Sequence, residues 1–215
     1  MYKAQALDQL KNRWLAPCLV VVSIIAVSIG FGRIYKFLTV ANFGGRFNWL
    51  VFALNVCFSG ISGMVLSYVH LKLSRTTEPV KSDDVFVAIG EYALEGILGV
   101  LWYWLWLFLW SLLFFIPAIV KFYAYSQMFF VMVENPGIGP MKAMNISKVM
   151  TNGHKADLFV MSLSFLGWAF LSSLAFGIGY IWLVPYSTTA FANAYTALKI
   201  EAINSGRLTP ADFSK

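Results

Sequence analysis

The stretch LFVMSLSFLGWAFLSSLAFGIGYIWLVPYSTTAFANAYTAL, residues 158–198, contains no charged side chain. A hydrocarbon core about 30 Å thick is crossed by about 20 helical residues. At a rise of about 1.5 Å per residue, one helix of this length would run about 60 Å. Gly177-Ile178-Gly179 lies near its middle, and two glycines so close weaken a helix and permit a tight turn. The stretch therefore reads as two membrane-crossing helices with a short turn between them.

Working outward, the same test picks out further uncharged runs at residues 14–32, 47–71 and 96–133, the last interrupted only by Lys121 and holding Pro117 near its middle. Apolar residues make up 59% of the chain and charged residues 12%, against about 45–50% and about 25% in an average soluble domain. Mean hydropathy is +0.70. These values exclude a disordered chain and a disulfide scaffold, and they argue against a water-soluble enzyme. Cys18 and Cys57 both lie inside apolar runs, where cysteine acts as a small buried hydrophobe. The net charge of +6 comes from bases that flank apolar runs. That placement points to anionic lipid head groups and away from nucleic acid.

The fold expected is an all-α polytopic membrane bundle, a single domain over residues 1–204. Its six transmembrane helices fall at about 14–32, 48–71, 96–115, 117–134, 157–176 and 180–199. One long kinked helix over 96–134 is the alternative to two spans meeting at an apolar turn, Phe114-Phe115-Ile116. Proline suits the first turn of a helix and disrupts its interior, so Pro117 favours the two-span reading. With six spans, twelve of the sixteen bases fall on one side and four, Arg33, Lys36, Arg46 and Lys121, on the other. The positive-inside bias then puts both termini in the cytoplasm. Two amphipathic helices are expected on that face. One covers 83–95, opened by the cap-like Ser82-Asp83-Asp84; the other covers 140–152, ended by Asn152-Gly153. The polar tail, 205–215, is expected to be loose.

Four blocks of residues carry a resemblance: Pro117, Lys121, Tyr123, Tyr125 and Ser126 with Glu134-Asn135-Pro136; Ala143, Ser147, Met150, Gly153, Lys155 and Leu158-Phe159; Leu163 to Trp168; and Gly177-Ile178-Gly179, Trp182 and Pro185-Tyr186. In order and spacing they resemble a bacterial integral-membrane family known as domain of unknown function nine hundred and seventy-five. The resemblance is specific over the last 100 residues and implies a multi-span protein of the bacterial cytoplasmic membrane. The family brings no established catalytic residues. A more distant likeness is to the membrane-anchoring region of some glycerophosphodiester phosphodiesterases, whose soluble catalytic domain has no counterpart here.

The candidate functional or structural polar cluster is Lys121, Tyr123, Tyr125, Ser126, Glu134, Asn135, Pro136, Ser147, Lys155, Trp168, Pro185 and Tyr186. Lys121 near the start of a helix and Glu134 at its end each oppose the helix dipole. Lys121 either snorkels to head groups or lines a polar groove with Tyr123, Tyr125 and Ser126. Glu134 is either a solvated loop acid or the ionic partner of Lys142, Lys148 or Lys155. Pro185 is either a packed kink whose freed carbonyls meet the Ser187-Thr188-Thr189 hydroxyls or a substrate site at a broken helix. His70 and His154 lack companions at ligand spacing, so no metal is expected, and no cofactor motif is present. The spans hold almost no converging titratable groups, which argues against enzymatic chemistry. Two functions remain. One is a structural or interaction bundle whose partners are the bilayer and other membrane proteins; the other is a small permease or exporter component.

Overall fold

A computed structural model describes residues 2–40, 45–78, 80–113 and 115–214. Among them the chain is helical with no strand: α1 (Tyr2–Leu10), α2 (Leu15–Val40), α3 (Gly45–Arg75), α4 (Ser82–Leu113), α5 (Phe115–Tyr125), α6 (Met128–Glu134), α7 (Pro140–Met150), α8 (Lys155–Leu174), α9 (Tyr180–Asn204) and a 3₁₀ turn over Pro210–Phe213. The turn expected at Phe114-Phe115-Ile116 includes a residue outside the described set. Lys215 and the side chains of Arg46 and Ser82 lie outside it too.

Among the described residues, four helices are long and apolar enough to cross a membrane: Leu15–Phe37, Trp49–Arg75, Asp83–Leu112 and Lys155–Leu174. They cover the expected first, second, third and fifth spans. The region of the expected fourth span is two pieces, α5 and α6, broken at Ser126-Gln127. Eleven residues of α5 reach only about 16 Å. The region of the sixth is α9, whose apolar character is diluted by Ser187, Thr188, Thr189, Asn193 and Thr196.

The amphipathic helix expected over 83–95 is not a separate element. It continues without a break into the apolar run as α4. Continuing a helix costs less than nucleating a new one, and α3 offers a partner along it from Asp84 to Gly96. Lys72 Nζ meets Asp84 Oδ1 at 2.6 Å, and the Tyr68 and Tyr92 rings lie 5.8 Å apart. At Gly60 and Gly96 the two backbones touch: a Cβ on Gly60 would stand 2.5 Å from the Gly96 carbonyl oxygen. The small residues Ser59 and Gly63 flank this crossing without making it. Three more antiparallel pairings follow in turn. Phe31 of α2 meets Phe58 of α3. Tyr103 and Trp110 of α4 meet Tyr125 and Lys121 of α5. Phe165 of α8 meets Tyr186 of α9.

The turn after α8 falls where the glycine pair put it. The Gly177 N–H bonds the Ser172 carbonyl at 2.8 Å, a six-to-one closure of the helix end. The left-handed residue just past the cap is Phe176, not a glycine; its side chain is 98% exposed. Two flanking segments are packed into the bundle. α1 is packed on α9, with Ala6 and Leu10 fully buried. The tail, expected to be loose, carries a Thr209–Asp212 capping box and buries Leu208 and Phe213. Both segments supply apolar residues to a core that includes Met64, Met128, Met132, Met150 and Tyr195.

The Gly60–Gly96 crossing generates a paired prediction. Gly96→Val forces the helices apart and is expected to lower stability by about 1–3 kcal/mol, read as an earlier thermal midpoint in detergent. Gly90→Ala on the same helix, where a Cβ meets nothing within 4 Å, is expected to leave the midpoint unchanged or raise it.

Candidate functional site: an ionic junction at Glu134

α6 ends at Glu134 because Asn135 precedes a proline and is held out of helical angles, at φ −130° and ψ 77°. The Asn135 side-chain amide donates to the Val131 carbonyl at 2.8 Å. Gly137 and Gly139, both at positive φ, then turn the chain into α7. The Gly137 N–H donates to Glu95 Oε1 of α4 at 2.5 Å. Pro136 itself is exposed.

The Glu134 carboxylate is 19% exposed. It accepts from Arg75 Nη1 of α3 at 2.8 Å, pairs with Lys199 Nζ of α9 at 2.9 Å and accepts from the Tyr195 hydroxyl of α9. One acid therefore ties α3, α6 and α9 together. Its mismatch with the helix dipole is offset by two cations, but not by the expected ones. Lys142 donates instead to the Ser214 carbonyl at 2.6 Å, fastening the tail. Arg75 and Tyr195 lie 59 and 61 residues from Glu134 in sequence, so local spacing gives no sign of them. The available signal was position: Arg75 and Lys199 each lie just past the end of an apolar run.

A second set of charges lies where α8 begins. His154 Nε2 is 2.8 Å from Glu201 Oε1, and His154 Nδ1 is 3.3 Å from Asp157 Oδ2. Arg207 Nη2 meets the same Glu201 oxygen at 2.9 Å and Arg207 Nη1 donates to the Asn152 carbonyl at 2.9 Å. The hydrogen bond to Glu201 raises the His154 pKa above its ordinary 6.5; partial desolvation opposes this, and Asp157 reinforces it.

The residues of the expected polar groove point apart. Lys121 Nζ sits 4.2 Å from the Trp110 ring centroid. The Tyr123 hydroxyl meets Ser162 Oγ of α8 at 2.5 Å. Tyr125 is buried against Tyr103, and Ser126 Oγ turns back to the Tyr123 carbonyl at 2.9 Å. Ser147 has the clearest role. Fully buried, it donates to the Ala124 carbonyl at 2.8 Å and accepts from the Gln127 N–H at 3.2 Å. It thereby pairs two backbone groups freed by the break between α5 and α6, each of which would cost about 1–3 kcal/mol if left unsatisfied. Lys121, counted among the outer bases, lies within reach of the charges of Lys148 and Lys155, counted among the inner ones.

Trp168 is exposed on α8. Pro185 is buried inside an unbroken α9. Ser187 bonds the Val184 carbonyl, and the Thr189 hydroxyl is buried without a partner, so the expected rescue of the carbonyl freed by Pro185 is not seen. Tyr186 packs edge-on to Phe165 at 5.1 Å, and Lys3 Nζ lies 4.4 Å from that Phe165 centroid.

The residues that build both charged sets come mostly from the C-terminal half, and this is where a family match falls. Residues 112–202 match the family described as "Protein of unknown function (DUF975)", which bears out the resemblance read from the sequence. The more distant likeness to phosphodiesterase membrane regions is not shown. No curated protein and no solved structure matches the chain.

Two predictions follow from the charges. Glu134→Gln keeps the shape and removes the charge facing Arg75 and Lys199; it is expected to lower stability by roughly 1–3 kcal/mol. Tyr195→Phe removes one of the same bonds and should cost much less than additively in the double variant; thermal melts of the four proteins check this. For His154 the folded pKa exceeds the unfolded one. Its contribution is therefore complete below about 6.5 and lost as pH rises through the folded value. Melting curves of wild type and His154→Gln should differ at pH 5.5 and converge by pH 9.

Proposed function

We propose that this chain is a non-enzymatic structural or interaction bundle of the bacterial cytoplasmic membrane, with six passages and both termini cytoplasmic. α2, α3, α4 and α8 are four of the passages. α5 with α6 runs back beside α4, and α9 runs back beside α8. The antiparallel ring contacts of Tyr103 with Tyr125 and of Phe165 with Tyr186 support these two returns.

One observation carries the non-transport reading. Where α3, α6, α7 and α9 meet, the core is filled by Met64, Met128, Val131, Met132, Met150 and Tyr195, all fully buried. The ionic groups at its rim are spent on tying helices together, which is what a rigid partner-binding bundle needs.

The second reading, a small permease or exporter component, is favoured by the broken helix at Ser126-Gln127, where Gln127 Oε1 is buried and unpartnered. Substrate sites in transporters often sit at such breaks. Crosslinking in native membranes followed by co-purification, with flux measured for the purified protein in liposomes, separates the two. The bundle reading expects a reproducible stoichiometric membrane-protein partner and sealed liposomes. Solute movement that Gln127→Leu abolishes would replace it with the permease reading.

A further inference from the structure

Between the end of α7 and the start of α8 lies a cleft of about 320 Å³, lined by Lys148, Val149, Asn152, Lys155 and Arg207. Three of the five lining residues are cations and none is an acid. Arg207 is already held, by Glu201 and by the Asn152 and Ser205 oxygens. Among the described residues, the ammonium groups of Lys148 and Lys155 have no hydrogen bond or ion pair. The nearby acids are occupied, Asp157 by His154 and Glu201 by His154 and Arg207. A third lysine, Lys121, stands close enough to feel both charges.

This gathering is unfavourable as it stands. Like charges brought together repel, the more so beside low-dielectric helices. Lys155 is the first residue of α8, where the helix dipole also repels a cation. No side chain caps the first N–H groups of that helix, since His154 directs its ring elsewhere. A bound anion would reverse every one of these terms: it would neutralise the lysines, suit the dipole and accept from free N–H groups.

We propose that this cleft binds a phosphate group, with Lys148 and Lys155 as its charged contacts and Arg207 fixing the rim. The head group of an anionic phospholipid is the source that fits best. Phe159, one turn after Lys155 on α8, is an exposed apolar residue, and basic clefts between membrane helices on the cytoplasmic side take such head groups. The lipid source rests on the bilayer reading given above; the phosphate contact does not.

The test uses the full chain purified in a zwitterionic, phosphate-free detergent. It is titrated with short-chain phosphatidylglycerol, with inorganic phosphate, and with a neutral diacylglycerol of matched chain length. Binding is read by native mass spectrometry and by thermal shift, for wild type and for Lys148→Gln/Lys155→Gln. Without ligand the double variant should melt no lower than wild type, because it removes repulsion. Phosphatidylglycerol should raise the wild-type midpoint, and the double variant should bind it at least about tenfold more weakly, with added salt weakening the wild-type interaction. Saturable binding of inorganic phosphate with the same loss in the variant would support the cleft with a soluble source. Equal phosphatidylglycerol binding by wild type and variant, or binding of the neutral lipid as tight as the anionic one, would overturn the proposal. A chain that stays soluble without detergent would remove the bilayer reading yet leave the phosphate arm decisive.

Discussion

Large apolar side chains cover the outside of this bundle: Leu19, Val22 and Ile29 on α2, Trp104, Phe108 and Leu112 on α4, and Leu163, Trp168 and Phe170 on α8, all exposed. Water would drive such surfaces together; a bilayer solvates them. On the bilayer reading proposed above, further features of the structure fall into place. In oil every backbone polar group has to be paired within the protein, and the short hydroxyl side chains of the long helices accordingly turn back onto their own carbonyls. Ser23 bonds Leu19, Ser28 bonds Ile24, Ser172 bonds Trp168 and Ser173 bonds Ala169. The same requirement explains why the break between α5 and α6 is covered by a buried serine from α7. It explains, too, why two glycines are placed where α3 and α4 cross: with no water to expel, close backbone approach is what holds apolar helices together.

Charge is confined to the ends of this scheme, and there it is structural. Glu134 ties α3, α6 and α9. Asp84 ties α4 to Lys72 of α3. Glu201 gathers His154 and Arg207 where α8 starts and α9 ends. These carboxylates fix which helix ends meet, and so set the order of the bundle, while the apolar contacts between them supply most of the cohesion. The uncompensated basic cleft beside Lys148 and Lys155 breaks the pattern, and for that reason reads as a place prepared for something the chain itself does not provide.

The helical class, the approximate positions of the long helices, the turn at Gly177, the end of α7 at Asn152-Gly153 and the stop before Pro136 were all legible, because each depends on local propensity or on run length. What was not legible depends on tertiary partners. Charge at Asp84, Glu91 and Glu95 suggested a surface helix, yet those residues belong to an α4 that packs against α3. The partners of Glu134 were sought within 21 residues and lie about 60 away. Ser147 stood among the candidates without a role, because its partners, Ala124 and Gln127, lose their helical bonds only where the chain breaks between α5 and α6. The tail read as loose because Leu208, Ala211 and Phe213 are its only apolar residues; its order depends on contacts with Lys142 of α7 and Lys199 of α9 that no local pattern announces.

The dependence on an apolar solvent is tested most directly by fractionating cells that express the chain. Lysed cells are sedimented at high speed, and the pellet is washed with alkaline carbonate and then with detergent. The account predicts that the chain stays in the pellet through the alkaline wash and enters solution only with detergent. Recovery in the first supernatant, as a folded monomer with no lipid or detergent present, would contradict it.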